Sequence, residues 1–407
     1  MFNISSLAIA PGRILVVAPQ PFYEDRGTPI AVRYMLEALS ELGYKVDLLC
    51  FPVGETVELP ALRIFRVGTS FRIRHVPIGF SLRKLFLDVL LIFAIRRQLR
   101  QESYSCIHAV EEAAFPAAVA GRKYKVPVVY DMQSSLPEQL LKHSIFRGAL
   151  VQRMLRSFER WLLRNVDFVV CSVGLEEYVR TVNSSVRVAA WHFPSLVVAA
   201  SEEEVERLRA ELKIQPNAPV VLYTGNFESY QGISRLIDAA LHVLSHIPNA
   251  VFVFVGTSNP ADLPLSKRSR LEKSGALRLV ARQPRTMIPR FLKMADVLVS
   301  PREWGGNLPL KIFDYMAAGK PIVATDIPVH RVLLDDERAV LVRPTAEALA
   351  GAIVGLLQDR GKAQQLGTAA QMYLKDKQGP GPFLQVITHI YKCTLGGDLE
   401  KYSVKKA

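Results

Sequence analysis

The residues best suited to chemistry lie between positions 300 and 325, in the run SPREWGGNLPLKIFDYMAAGKPIVAT. It reads as a strand over 297–300, a loop through SPREWGGN, and a helix over 308–318 that Gly319 ends. A helix start presents unpaired backbone N–H groups and the positive end of its dipole, which suits an anion such as a diphosphate. Pro309 fits a first turn, where its missing N–H leaves no bond unmade. Gly306, Asn307 and Leu308 bring the chain into that turn. Asp314, further along, offers two carboxylate oxygens to a ribose diol, with Lys311 one turn earlier. Plainer readings carry comparable weight on spacing alone. Lys311 and Asp314 are also spaced as a surface ion pair, worth on the order of a few tenths of a kcal/mol, and Gly305–Gly306 is also the composition of a simple turn.

Other strand ends carry further candidates. In YTGNFESYQGISRLIDAA a strand runs into Gly225 and Asn226, with Gln231 just before a helix. In PQPFYEDRGTPIAVRYMLEALSELG, Gly27 and Thr28 stand ahead of a helix, where glycine lets backbone approach a phosphate. His108 closes a short strand and precedes Glu111 and Glu112; a lone histidine there is more often structural. Asp131, Gln133 and Ser134 follow the next strand, with Ser134 or Ser135 as a helix cap the bland alternative. No G-x-G-x-x-G run is present, which disfavours a nicotinamide or flavin cofactor. No Asp-x-Asp pair suggests a metal, and Asp335-Asp336-Glu337 reads as a solvated loop. The four cysteines have neither zinc nor redox spacing and read as reduced structural thiols in a cytosolic compartment.

The elements that must position these residues alternate. Short β-branched runs at 14–18, 46–50, 107–109, 126–130 and 168–171 are separated by amphipathic stretches, the pattern of a doubly wound parallel sheet. The pattern lapses in SLVVAASEEEVERL, an acidic, weakly structured stretch with a linker near 195–201. It resumes at 220–223, 251–255, 277–280, 297–299, 321–324 and 340–342. The 407 residues, 49% of them hydrophobic, therefore divide into Rossmann-like domains at 1–195 and 202–378, followed over 379–407 by a helix and a basic tail. Two such domains facing each other offer one cleft outside the strand carboxyl ends.

The formal charge of +13 draws the chain toward anionic partners. Much of it lies in two stretches. Arg72, Arg74, Arg83, Lys84, Arg96, Arg97 and Arg100 surround a very apolar helix over 71–100, and a helix over 149–165 carries Arg153, Arg156, Arg160 and Arg164 beside Met154, Phe158 and Trp161. Basic amphipathic helices of this kind lie at anionic membrane surfaces, although a solvated arginine face on a Rossmann helix explains the pattern equally well. No aromatic-rich basic motif points to nucleic acid. The apolar run at 85–95 is too short to span a bilayer, and the N-terminus lacks a signal-peptide pattern.

NLPLKIFDYMAAGKPIVATDIP resembles the donor-site segment of glycosyltransferase family 4, and the segment from Tyr223 to Ala240 resembles the first strand and helix of that family's second domain. The resemblance is strongest over 223–328, moderate over 13–43 and 106–140. It implies the α/β GT-B fold, two facing Rossmann-like domains, and a retaining transfer from a nucleoside-diphosphate sugar in which the leaving diphosphate takes the acceptor proton; with no Asp-x-Asp pair, no metal is expected. The family's Glu-x7-Glu pair falls on Gly306 and Asp314. Asp314 then holds ribose, and Glu303 replaces the missing first carboxylate near the sugar. The family's phosphate-binding Arg and Lys fall on Asn226 and Gln231, so Lys311, Arg302 or Arg282, the last in VARQPRTMIPRF, takes over their charge. Gly27 and Thr28 match the glycine loop that closes on the diphosphate, and His108 matches a histidine facing the donor sugar. The expected acceptor is lipid-linked or a growing glycan, with the enzyme cytoplasmic and peripheral on the inner membrane face. Two alternatives stand beside this: a non-catalytic GT-B scaffold, motivated by Gly306, Asn226 and Gln231, and a nucleotide-sugar epimerase.

Overall fold

The computed structural model describes residues 12–24, 27–68, 81–135, 148–172, 174–191, 200–256, 271–305, 308–378 and 380–395, with single positions 73, 76, 137 and 269 between them. The chain forms two compact units, Met1–Phe193 with Pro380–Ala407, and Pro194–Gly379. In the first, strands β1 (Arg13–Pro21), β2 (Lys45–Phe51), β3 (Leu62–Arg66), β4 (Cys106–Val110), β5 (Val128–Met132), β6 (Phe168–Ser172) and β7 (Val188–Trp191) make one sheet in the order β3-β2-β1-β4-β5-β6-β7. In the second, β8 (Val220–Thr224), β9 (Val251–Val255), β10 (Leu277–Val280), β11 (Val297–Ser300), β12 (Ile322–Thr325) and β13 (Val340–Val342) make another, ordered β10-β9-β8-β11-β12-β13. Every pairing in both sheets is parallel. Both units are Rossmann-like, wound in the same order, with the strand direction of travel reversing at β1/β4 and at β8/β11.

Helices on both faces explain why central strands are apolar without alternation. β8 (VVLYT) and β9 (VFVFV) are buried at every position, and each fully buried valine or phenylalanine contributes about 1.5–3 kcal/mol relative to exposure. The helix Ile233–His246 buries Ile233, Leu236, Ile237, Ala240 and Val243, a spacing of three and four that lays one stripe on the sheet. It packs there beside the helix Ala346–Gln358. Cys50, Cys106, Cys171 and Cys393 are all buried free thiols.

The acidic run after the linker is a helix rather than weak structure. Ser201 accepts a bond from the Glu204 amide while the Glu204 carboxylate takes the Ser201 N–H, a capping box at the head of Glu202–Glu211. Glu202 and Glu204 then pair with Lys293 and Arg290. The expected helix over 382–393 runs Pro380–Thr394 and belongs to the first unit. It packs on β6, β7 and the helix Gly27–Glu41, and Arg187 Nη1 donates to the Cys393 carbonyl at 2.7 Å. The tail KYSVKKA and the bulk of the linker, 192–199, lie outside the described residues.

One buried charge ties the amino edge of the first sheet together. Asp47 has no exposed surface, yet accepts from Arg13, twice from Arg63 and from the Tyr104 hydroxyl at 2.6–2.8 Å. Burial pushes its carboxyl upward, but the Arg63 and Tyr104 hydrogen bonds and the two guanidinium charges outweigh it and hold the group below the usual carboxylate range. Its stabilisation is therefore complete above the ordinary carboxylate pKa and is lost as pH falls through the lower folded value. Asp47→Ala should lower unfolding stability by about 3 kcal/mol at neutral pH, with the wild-type advantage shrinking below about pH 4; chemical denaturation at several pH values measures both.

Candidate functional site

In the second unit the carboxyl ends of β8 and β11 are drawn together by one side chain. Tyr315, fully buried, accepts from the Thr224 amide at 2.9 Å and lies 3.4 Å from the Val299 carbonyl. A buried phenol needs such partners, and these fix the helix Lys311–Ala317 against both strand ends. That helix is shorter than expected. It begins at Lys311, preceded by a tight turn in which the Ile312 and Phe313 amides bond to Pro309 and Leu310. Pro309 allows the turn but does not start the helix. Seven residues make a weak dipole, so fixed side-chain charges dominate here.

Those charges are Lys311 and Arg302. Lys311 Nζ lies 3.1 Å from Gln231 Oε1 and 4.0 Å from the centre of the Tyr223 ring. Burial, then the nearby Arg302 charge, pushes this ammonium well below the usual lysine range. Gly225 makes the approach possible: at φ +136° it adopts a conformation open to glycine, and a Cβ there would stand 2.7 Å from Lys311 Nζ. Asn226 is exposed and contributes its carbonyl to the Tyr223 hydroxyl at 2.6 Å. Arg302 is 3% exposed; its Nε donates to the Trp304 carbonyl and its guanidinium covers the Tyr230 ring at 5.1 Å. Gly232 opens the next helix at φ +71° and lies so close to the Pro301 carbonyl that a Cβ would come within 2.0 Å of it.

The backbone at Arg302 is braced through Thr325 and His330, the latter with no exposed surface. His330 Nδ1 lies 2.7 Å from the Thr325 carbonyl, which only accepts, so Nδ1 carries the proton and Nε2 takes the Ser300 hydroxyl at 3.0 Å. The Thr325 hydroxyl in turn donates to the Arg302 carbonyl. Burial, and then the charges of Arg302 and Lys311, push His330 down to about 4 against the pull of its Thr325 bond, leaving the ring neutral at neutral pH.

Asp314 sits one turn beyond Lys311, 8% exposed, and Arg285 Nη2 donates to its Oδ1 at 3.0 Å. Arg282, a candidate for the diphosphate charge, is exposed. Arg285 opens the turn Arg285–Met287, with its side chain 27% exposed. Glu303 pairs with Arg235 on the helix Ile233–His246, and Leu308 and Pro309 are buried. Gly306 and Asn307 lie outside the described residues.

The first unit holds the other candidates. Gly27 begins the helix Gly27–Glu41, exposed, and Thr28 is half-buried. His108 is not at a strand end but in the middle of β4, with no exposed surface. Its Nδ1 bonds the Tyr391 hydroxyl of the closing helix at 2.9 Å, and Nε2 lies 3.7 Å from Asp131. A sugar-facing role requires surface that this ring lacks, so in this structure His108 is part of the packing. At the carboxyl ends of β4 and β5, Gln133 donates to Asp131, Ser134 to Glu111 and Ser135 to Glu159; the segment that either serine would cap lies outside the described residues. Glu111 stands at φ +53°, and burial together with Glu112 pushes Asp88 up to about 7.

The family profile described as Glycosyl transferases group 1 matches residues 204–372, and that described as Glycosyl transferase 4-like domain matches 26–193. The chain is a GT-B glycosyltransferase of the family 4 type. A phosphatidyl-myo-inositol mannosyltransferase of Mycolicibacterium smegmatis is 22% identical over 351 residues, 85% of each chain. The colanic acid biosynthesis glycosyl transferase WcaI of Escherichia coli, named as putative, is 25% identical over 44% of this chain and 45% of its own. Sucrose-phosphate synthase from Thermosynechococcus elongatus has the same fold at TM-score 0.76 and 20% identity, over 94% of this glycosyltransferase and 98% of itself. HepE of Anabaena, solved with UDP and glucose, gives 0.70 and 17% over 93% and 98%.

Sequence reading missed Tyr315, Arg285 and His330. The buried aromatic was visible as a tyrosine inside an apolar stripe; the other two depend on turns that carry no local signal. Because the His330 pKa falls on folding, its contribution is present above about pH 6.5 and is lost as pH drops toward 4. His330→Gln should flatten that part of the stability–pH curve by on the order of 2–3 kcal/mol, as followed by urea titration between those pH values.

Proposed function

We propose that this glycosyltransferase moves a sugar, with retention at the anomeric carbon, from a nucleoside diphosphate to a lipid-linked or glycan acceptor. The observation that carries the reading is the position of the Lys311 ammonium against Gln231. Family resemblance places a phosphate-binding lysine at 231 and an arginine at 226. This chain has neither, but it brings Lys311 up beside Gln231 and Arg302 close behind it. The charge that appeared lost is supplied from the opposite strand end. Asn226 and Gln231 then no longer argue for a non-catalytic scaffold, and Gly306 is left as its remaining motive.

In this reading the diphosphate lies against Gly225, Lys311 and Arg302, and the ribose diol against Asp314, where it competes with Arg285 for the carboxylate. The acceptor oxygen bonds to the anomeric carbon as the carbon–phosphate oxygen bond breaks on the same face. The acceptor proton passes to the departing phosphate oxygen, so no protein nucleophile is needed. The cations stabilise charge gathering on the leaving group. The UDP and glucose bound to HepE and the lipid named for the mycobacterial mannosyltransferase support donor and acceptor of these classes.

A screen of UDP-, GDP- and ADP-sugars by thermal shift should find at least one that stabilises the protein; no shift with any donor sinks the proposal, and isomerised sugar without acceptor favours an epimerase. Retention is read from the anomeric proton coupling of the product. Asp314→Ala should weaken nucleotide binding about 10- to 100-fold. Because Lys311 gives up its proton readily when the site is empty and an anion restores it, nucleoside diphosphate binding should take up a proton at a pH between the lowered and ordinary lysine values. Calorimetry in buffers of different ionisation enthalpy measures the uptake, and Lys311→Met should remove it.

A further inference from the structure

Among the described residues, all the exposed large apolar side chains except Trp304 and Met372 lie on three helices of the first unit. On Leu82–Gln101 the core-facing stripe is Leu87, Leu91, Ile95 and Leu99. A second apolar stripe, Leu82, Phe86, Val89 and Phe93, faces outward at the same helical spacing, between 42% and 80% exposed. On Ala149–Leu163 the core face is mixed, with Leu162 and Leu163 buried beside polar side chains. Gln152 and Glu159 are buried, while Leu150, Met154, Phe158 and Trp161 are 37–69% exposed. Between these two helices lies Ala114–Tyr124, with Val119 exposed. The three form one face: Arg100 bonds the Tyr124 hydroxyl on one side, and Phe115 stacks on Trp161 on the other.

Contiguous apolar surface of this extent marks an interaction site. What covers it is indicated by the charge beside it. Arg153, Arg156, Arg160 and Arg164, all exposed, form a stripe adjoining the apolar one, and Arg96, Arg97 and Arg100 continue the outward stripe of Leu82–Gln101. Apolar side chains flanked by long cations suit an anionic bilayer, where the former enter the acyl boundary and the latter reach phosphates. No described helix is long and apolar enough to cross a membrane.

Each helix links the carboxyl end of one parallel strand to the amino end of another, so their N-termini lie at the carboxyl edge of the sheet. Leu82 and Leu150, the most exposed of the set at 80% and 69%, stand at those N-termini. We infer that this three-helix face seats the first unit on an anionic membrane surface with the strand carboxyl edge toward the lipid, so that a lipid headgroup presents the acceptor hydroxyl. The seating stands on the surface alone; only the acceptor rests on the transfer proposed above.

Co-sedimentation of the full chain with vesicles of phosphatidylcholine, with and without phosphatidylglycerol, tests it. Binding is expected to the mixed vesicles only and to weaken with salt. Arg156→Gln and Arg160→Gln should each lower the partition coefficient about fivefold, equivalent to about 1 kcal/mol per charge, and Phe93→Ser with Leu150→Ser should reduce it at least about tenfold. Nucleotide-sugar thermal shifts should be unchanged in these variants, which separates failure of the seating from failure of the donor reading. No binding at low salt, equal binding to neutral vesicles, or wild-type binding by the variants overturns the inference. So does a concentration-dependent dimer, seen by sedimentation velocity, that the apolar substitutions dissolve; that result assigns the face to a second copy.

Discussion

A strand can follow its parallel neighbour only through a crossover that carries the chain back to the starting edge. Both sheets here are parallel throughout, and that constraint governs what the rest of the molecule does. Every loop leaving a strand gathers at one edge of its sheet, so Gly225, Arg302 and the turn before Lys311 meet there. Every return helix lies on a face, so the cores are covered twice and the strands are apolar throughout. The outermost helices are then left with a second side that the sheet cannot use, and the composition of that side is open to another purpose.

Within the second unit, polar groups are buried only where they brace one another. Tyr315 holds the helix to two strand ends, and His330 holds the Ser300–Arg302 segment to β12. Neither carries charge at neutral pH, so the framework around the cations is built from neutral hydrogen bonds. This sets Lys311 and Arg302 close together in a space of low polarity, where an electrostatic interaction is stronger than in water.

Sequence periodicity located the central strands because β-branched runs buried on both faces leave a continuous apolar signal. It missed β3 and β7, which lie at the sheet edges; LRIFR carries two arginines in five residues, and VAAW is short. It placed the start of β5 two residues early, since Pro127 has no amide to contribute and the ladder begins at Val128. Ser201-x-x-Glu204 was a readable capping box in a stretch taken as weakly structured. At the site, Asp314, Lys311 and Gly225 were legible because their residue types already suggest their chemistry. His108 was misplaced because its decisive partner, Tyr391, lies 283 positions away in the chain, beyond the reach of any local pattern. Arg285 was missed because its partner Asp314 lies 29 positions further along the chain.

The return of Pro380–Thr394 to the first unit has a consequence for biosynthesis. That helix covers Tyr44, His108 and Phe168 through Tyr391 and His389, residues translated long before it. As the nascent chain emerges, the second unit has all of its strands available while the first still lacks its final layer. The earliest part of the protein to be made is therefore the last to be finished, and its uncovered seam is a surface that a chaperone has reason to hold.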